Sequence, residues 1–157
     1  MVKIIFLDID GVLTSDMYEE SRLEKRDDNR IDLSRVKLLA ELVNSTDAKI
    51  VLTSTWRVDW NKISLLCGDY GKYLNQCLAT YNLSIFDKTP FISYLGDRRK
   101  EILTWLAHHR RDVESFVILD DMDYGWEVLN NRVVVTNPQG YGLEKEHVQK
   151  AIELLNG

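Results

Sequence analysis

Four short apolar runs, at Lys3–Leu7, Lys49–Leu52, Ser115–Leu119 and Arg132–Val135, alternate with longer segments whose apolar residues recur at helical spacing. This alternation constrains the fold more than any other feature of the chain. A strand that is apolar throughout leaves neither face to water, so both faces of its sheet must be covered by helices. The intervening segments supply the helices. Asp32 or Ser34 is placed to cap one that carries Leu33, Val36, Leu39 and Val43 on one face. A second carries Ile102, Leu106 and Trp105, and the last runs from about Glu144 to Leu155 with Val148, Ile152 and Leu155 inward. The pattern predicts a doubly wound, mostly parallel α/β sheet. Right-handed crossovers put every strand's carboxyl end on one edge, and open α/β sheets bind their ligands at that edge.

The 157 residues are the length of one domain and enough to bury one sizeable core. With no linker, repeat or low-complexity tract, residues 1–157 read as a single unit. Two segments interrupt the alternation. Met17–Arg30 is a mixed-charge stretch with almost nothing apolar. It reads as a solvated loop, or as a mobile flap whose Arg22, Lys25, Arg26 or Arg30 reaches substrate. Trp60–Tyr81 reads as one or two helices, with Tyr73, Leu74, Cys77 and Leu78 in the core.

A content of 45% hydrophobic and 29% charged residues excludes a disordered chain. The net charge of -5 argues against loose binding along a nucleic-acid backbone, while a few Arg and Lys can still focus on one phosphate. Cys67 and Cys77 match no zinc spacing and read as free core thiols. One Lys and a very short apolar run followed by two acids do not make a signal peptide. No apolar stretch approaches the roughly 20 residues of a membrane span. The expectation is a cytoplasmic protein with no membrane partner.

The residues that follow each strand carry the chemistry. After the first come Asp8-Ile9-Asp10-Gly11, after the second Thr53, Ser54, Thr55, Trp56 and Arg57, and after the third Asp120, Asp121 and Asp123. Arg98-Arg99-Lys100 precedes an amphipathic segment. Asp and Gly also favour a plain polar turn. Paired carboxylates at the end of a buried strand, however, repel and resist ionisation, and need a cation or a proton. Clustered carboxylates suit a hard cation such as Mg²⁺. A carboxylate beside that ion can attack phosphorus, and a second can protonate the leaving oxygen and then activate water. A hydroxyl with a Lys or Arg would hold the non-bridging oxygens. Arg57 reads equally as a second phosphate clamp or as a helix-surface ion pair. Trp56 reads as a base-stacking residue or as packing, and Asp123 as a third metal-shell carboxylate or the turn after the strand. Positive charge at Arg98–Lys100 opposes a helix dipole, which argues for a functional reason there.

The chain resembles the haloacid dehalogenase (HAD) superfamily of Mg²⁺-dependent phosphohydrolases. FLDIDGVL is similar to its first motif, IVLTSTWR to its second and VILDDMD to its acidic fourth. The resemblance implies a HAD-like Rossmannoid fold, with Asp8 as nucleophile and Asp10 as general acid and base, its main-chain carbonyl on the metal. It implies Ser54, in preference to Thr53, as the phosphate-binding hydroxyl, and Asp120 and Asp121 around Mg²⁺. TSTWR, RRKEILTWL, VILDD and VVVTNPQGYGL together resemble one branch, the HAD domain of Swiss Army Knife RNA-repair proteins. Two departures stand out. Val12 replaces a common Thr, and no Lys-Pro dipeptide marks the third motif. Arg98 and Lys100 lie in that motif's region; Arg99 and Lys88 are poorer candidates.

Neither place where the family inserts a cap has room for a full separate lid, since independent domains run to about 50 residues or more. An open site admits the phosphorylated end of a large molecule. The expected activity is hydrolysis of a phosphate monoester through an aspartyl-phosphate, on a polynucleotide end carrying a 3′-phosphate. The alternatives are a small-molecule or nucleotide phosphatase, and a non-catalytic nucleic-acid- or protein-binding module. The pair Asp8 and Asp10 weighs against the last, because a buried acidic pair without metal chemistry is a liability.

Overall fold

The computed structural model of the protein describes residues 1–92, 96–125 and 127–157. Its strands β1 (Val2–Leu7), β2 (Lys49–Leu52), β3 (Ile85–Lys88), β4 (Val113–Asp120) and β5 (Val133–Val135) form one parallel sheet in the order β3-β2-β1-β4-β5. The helices among the described residues are α1 (Asp16–Glu24), α2 (Leu33–Thr46), α3 (Asp69–Ala79), α4 (Arg98–His109), α5 (Glu127–Asn130) and α6 (Lys145–Asn156). The architecture is the expected α/β one.

Alternation along the strands divides the core between the two faces of the sheet. Ile5, Leu7, Ile50, Leu52, Val117 and Leu119 join the cluster that holds the buried residues of α2, α3 and α6. Ile4, Phe6, Val51 and Ile118 turn to the other face and meet Ile102 and Trp105 of α4. Phe6 and Trp105 pack edge to face at 5.5 Å. The helix α2 packs on α3 and α6 as well, so it buries Leu38, Ala40 and Leu42 beside Val36 and Leu39. Leu33, expected inward, begins the helix at 39% exposure. Asp32 is the cap, its side chain accepting from Ser34 N–H at 3.0 Å.

Two segments differ from the sequence reading, and a third, Trp60–Tyr81, agrees with it in holding a 3-10 turn and one helix. The strand β3 occupies what reads as no more than a short Leu-Ser-Ile-Phe run. It is an edge strand that buries Ile85 and exposes Phe86, so it lacks a continuous apolar signal. Much of Met17–Arg30 is the helix α1 rather than a loop. Ser15 caps it by accepting from Tyr18 N–H at 3.2 Å, and Arg22 pairs with Glu19 within it. None of its residues is buried, so no apolar period reveals it. The segment before α3 forms two 3-10 turns, Thr55–Asp59 and Ser64–Leu66. Leu74, Cys77 and Leu78 are core, and Tyr73 is partly buried with its hydroxyl accepting from Ile31 N–H at 3.1 Å. Cys67 and Cys77 are buried and unpaired with each other. Among the described residues no helix is long and apolar enough to cross a membrane.

The register of the sheet places the strand-end residues. Leu7 of β1 lies level with Leu52 of β2 and Leu119 of β4. The hydrogen bonding continues past these positions, with Thr53 N–H donating to Leu7 O at 2.9 Å, Asp8 N–H to Leu119 O at 3.0 Å and Thr136 N–H to Asp120 O at 2.9 Å. Asp8, Thr53 and Asp120 therefore stand side by side on the carboxyl edge.

Candidate active site

Asp8, Asp120 and Asp121 each offer a carboxylate oxygen within 4.8 Å of the others. Asp8 and Asp120 are buried and Asp121 is half-buried. Arg98, the first residue of α4, reaches both buried carboxylates, with Nη1 2.8 Å from Asp120 Oδ2 and 3.1 Å from Asp8 Oδ1. Asp120 also accepts from the Tyr124 hydroxyl and from Met122 N–H at 3.0 Å. One guanidinium is set against three carboxylates, and the excess negative charge shows in the titration of the group. Burial, then the charge of Asp120, pushes the Asp8 carboxyl up to about 7 despite Arg98. Burial and the hydrogen bond with Asp120 push Asp121 up to about 6. Burial acts to lower the pKa of Arg98, but the carboxylates of Asp8 and Asp120 outweigh it and hold the guanidinium charged. Burial and the Asp120 charge keep the Tyr124 phenol protonated. A set of hard oxygen donors carrying uncompensated negative charge fits a small divalent cation such as Mg²⁺.

The turn after β1 brings Asp121 into this group. Gly11 has φ +82°, and its missing side chain leaves the space that Asp121 fills. Thr14 Oγ1 accepts from Gly11 N–H at 3.2 Å, and Thr136 Oγ1 donates to Gly11 O at 2.6 Å. Gly142 packs equally closely on the carbonyl of Val12. The loop Asn137–Gly142 thus braces the turn that carries Asp8 and Asp10.

The second strand supplies both hydroxyls. Ser54 Oγ accepts from Trp56 N–H at 3.2 Å and caps the 3-10 turn. Thr53 Oγ1 is fully buried and has no hydrogen-bond partner among the described residues. Buried hydroxyls are normally paired, so this orphan stands out on the carboxyl edge of the sheet. Arg57 is placed otherwise than as a phosphate clamp. It is buried, pairs with buried Glu101, and donates to Thr53 O at 2.7 Å and Ser54 O at 2.9 Å. Burial lowers its pKa and the Glu101 carboxylate opposes that shift. Arg57 therefore shapes the loop that carries the hydroxyls. Lys88 does similar work, with Nζ donating to Arg57 O at 2.8 Å and Trp60 O at 2.6 Å.

Three other residues lie apart from the cluster. Lys100 is exposed and faces a groove with Leu103 and Ala107. Two residues along a helix are about 200° round its axis, so its position turns it away from Arg98. Asp123 is exposed and accepts from Gly125 N–H at 3.0 Å, which is the turn reading. The Asp10 carboxylate is exposed and accepts from Trp56 Nε1 at 3.3 Å. It faces a groove of about 510 Å³ shared with Trp56, Tyr70 and Arg30. Sequence reasoning overlooked Glu101, Tyr124 and Tyr70. Glu101 lies in the first turn of a helix, where acids are common on surfaces, so no local signal marks it as buried.

A family model described as the HAD domain in Swiss Army Knife RNA repair proteins matches residues 4–148. The match spans every strand and helix from β1 to the start of α6. None of the curated proteins or solved structures compared with the chain matches it.

Proposed function

The chain belongs to the family of the HAD domain in Swiss Army Knife RNA repair proteins, and we propose that it removes phosphate from a polynucleotide end, namely a 3′-phosphate, by way of an aspartyl-phosphate. The observation that carries this reading is the meeting of Asp8, Asp120 and Asp121, at the ends of adjacent strands, with Arg98 from the start of α4. In the first step an Asp8 oxygen forms a bond to phosphorus while the bond from phosphorus to the nucleoside oxygen breaks. Asp10, exposed at the rim, gives its proton to that leaving oxygen. In the second step water attacks phosphorus, its proton passes to Asp10, and the bond from phosphorus to Asp8 breaks.

Arg98 and the unpartnered Thr53 hydroxyl are the donors for the non-bridging oxygens, joined by Ser54. Asp8, Asp120, Asp121 and the main-chain carbonyl of Asp10 would hold Mg²⁺. Bound there, Mg²⁺ supplies the charge that keeps Asp8 ionised near neutral pH and offsets the negative phosphate oxygens. Between β1 and α2 the chain inserts a single nine-residue helix, α1, at one side of the groove beside Asp10. This supports an open site suited to the end of a long substrate.

The test is Mg²⁺-dependent phosphate release from 3′-phosphorylated oligonucleotides, compared with mononucleotides and small phosphate esters. Preference for the oligonucleotide is expected, with turnover lost in Asp8→Asn while the fold persists. Activity confined to small metabolites overturns the polynucleotide reading, and undiminished turnover in Asp8→Asn overturns the nucleophile.

A further inference from the structure

We propose that the groove beside Asp10 binds the nucleoside that bears the scissile phosphate, with its base stacked on the aromatic wall formed by Trp56 and Tyr70. This rests on the phosphatase reading above and adds the part of the substrate that is recognised.

Chemistry decides the side of the cluster on which the nucleoside lies. If Asp10 protonates the leaving oxygen, that oxygen and the sugar attached to it must lie against Asp10. The groove of about 510 Å³ lined by Asp10 is the space that lies there, and its size is within the range of small-ligand pockets, about 300–1,000 Å³.

The walls suit a base. Trp56 and Tyr70 meet edge to face at 5.4 Å. Tyr70 is 50% exposed, so its ring is available to a ligand. Trp60 and Trp105 differ in being buried, at 4% and 3% exposure, whereas Trp56 is only partly buried. The Arg30 guanidinium lies 5.9 Å from the centre of the Tyr70 ring and donates to its hydroxyl at 3.2 Å. Aromatic rings with an adjacent arginine form the usual stacking platform for single-stranded bases.

The charges of the groove favour base and sugar over a second phosphate. Glu19 and Asp59 line it together with Asp10. Glu19 is engaged by Arg22, and Asp59 accepts from the N–H groups of Tyr70 and Gly71 at 2.6 and 3.1 Å. With Arg22 on Glu19 and Arg30 on Tyr70, the three carboxylates still outnumber the two arginines, and the net negative charge disfavours a second anion. Trp56 also links the two parts of the site, with its main-chain N–H on Ser54 and its indole on Asp10.

The experiment uses the full chain with Mg²⁺ and two 3′-phosphorylated oligonucleotides that differ only in whether the terminal nucleotide carries a base, with adenosine 3′-phosphate as the free-nucleotide arm. The expected result is a preference of at least about fivefold in kcat/KM for the base-bearing end. Tyr70→Ala should compress that ratio towards one, Tyr70→Phe should keep most of it, and Arg30→Ala should reduce it in part. Equal rates on the two oligonucleotides, or a ratio that survives Tyr70→Ala, overturn the subsite and leave the phosphatase reading standing. If no nucleic-acid phosphate is released at all, the phosphatase reading falls. The subsite is then judged by titrating the protein with adenosine 3′-phosphate and with inorganic phosphate. Tighter binding of the nucleotide that Tyr70→Ala abolishes supports it, and equal binding overturns it.

Discussion

Gly11 and Asp121 are packed so closely that a Cβ on Gly11 would lie 2.6 Å from Asp121 Oδ2 and 2.7 Å from Asp121 Cβ. The contact joins the turn after β1 to the turn after β4, and it holds Asp121 beside Asp8. Gly11→Ala meets two penalties, since the φ of +82° strains any L side chain and the new methyl group displaces Asp121. The strain alone costs about 1–2 kcal/mol. The variant is expected to melt at lower temperature and to need more Mg²⁺ for half-maximal thermal stabilisation. Unchanged Mg²⁺ dependence would show that Asp121 does not hold the ion.

The acidic cluster ties stability to pH. Asp8 and Asp121 are raised from 3.8 to about 7 and about 6, first of all by burial. Between pH 3.8 and those values the folded protein therefore binds protons that the unfolded chain has released. Stability from this source is complete below pH 3.8 and is lost as pH rises through 6 and 7. Without divalent cation, melting temperature should fall from pH 5 to pH 8. Added Mg²⁺ should raise it more at pH 8 than at pH 5, because protons compete with the ion. Asp8→Asn should flatten the slope. A melting temperature that rises across this range in chelator would contradict the raised carboxyls.

Arg98 and Lys100 sit two residues apart, but only Arg98 touches the carboxylates. Arg98→Ala should lower the turnover rate by on the order of 10²-fold, as loss of a charged donor to the reacting oxygens does. Lys100→Ala should stay within about twofold, as expected for an exposed position. Single-turnover phosphate release separates the two. The reverse ranking would transfer the role of the third motif to Lys100.

Glu101 neutralises a guanidinium that the fold has already buried. Glu101→Ala leaves Arg57 unpaired in the interior, at a cost of about 3–5 kcal/mol. Joint replacement by Arg57→Met and Glu101→Leu should recover most of the loss, because an apolar pair of similar volume needs no solvation. Urea unfolding of the single and double variants measures the difference. Equal destabilisation in both would show that the hydrogen bonds from Arg57 to Thr53 O and Ser54 O matter more than its charge.

Much of the architecture was legible along the chain. β1, β2, β4 and β5 lie close to their apolar runs, because a strand covered on both faces must be apolar at successive positions. The edge strand β3 and the helix α1 escaped notice for the complementary reason. Phe86 is exposed and α1 buries nothing, so neither segment carries the period that burial imposes. The neighbourhood of Asp8, Asp120 and Asp121 also follows from local pattern, since parallel strands in register bring their ends to one edge.

The sequence by itself determined the α/β class, the places of four of the strands along the chain, and which acids and hydroxyls follow them, since all of these are encoded by spacing along the chain. Tertiary structure alone decided which cation meets the acids and which is spent on the scaffold. Arg57, next to the second motif, reads locally as a phosphate clamp or equally as a surface ion pair, and its partner Glu101, 44 residues away, makes it a buried ion pair instead. Arg98 and Lys100 are near neighbours of like charge, and the face that α4 turns to the sheet edge brings one to Asp8 and leaves the other exposed. A charged side chain is fixed by the opposite charges and the water around it, and those are properties of the fold that no stretch of chain contains.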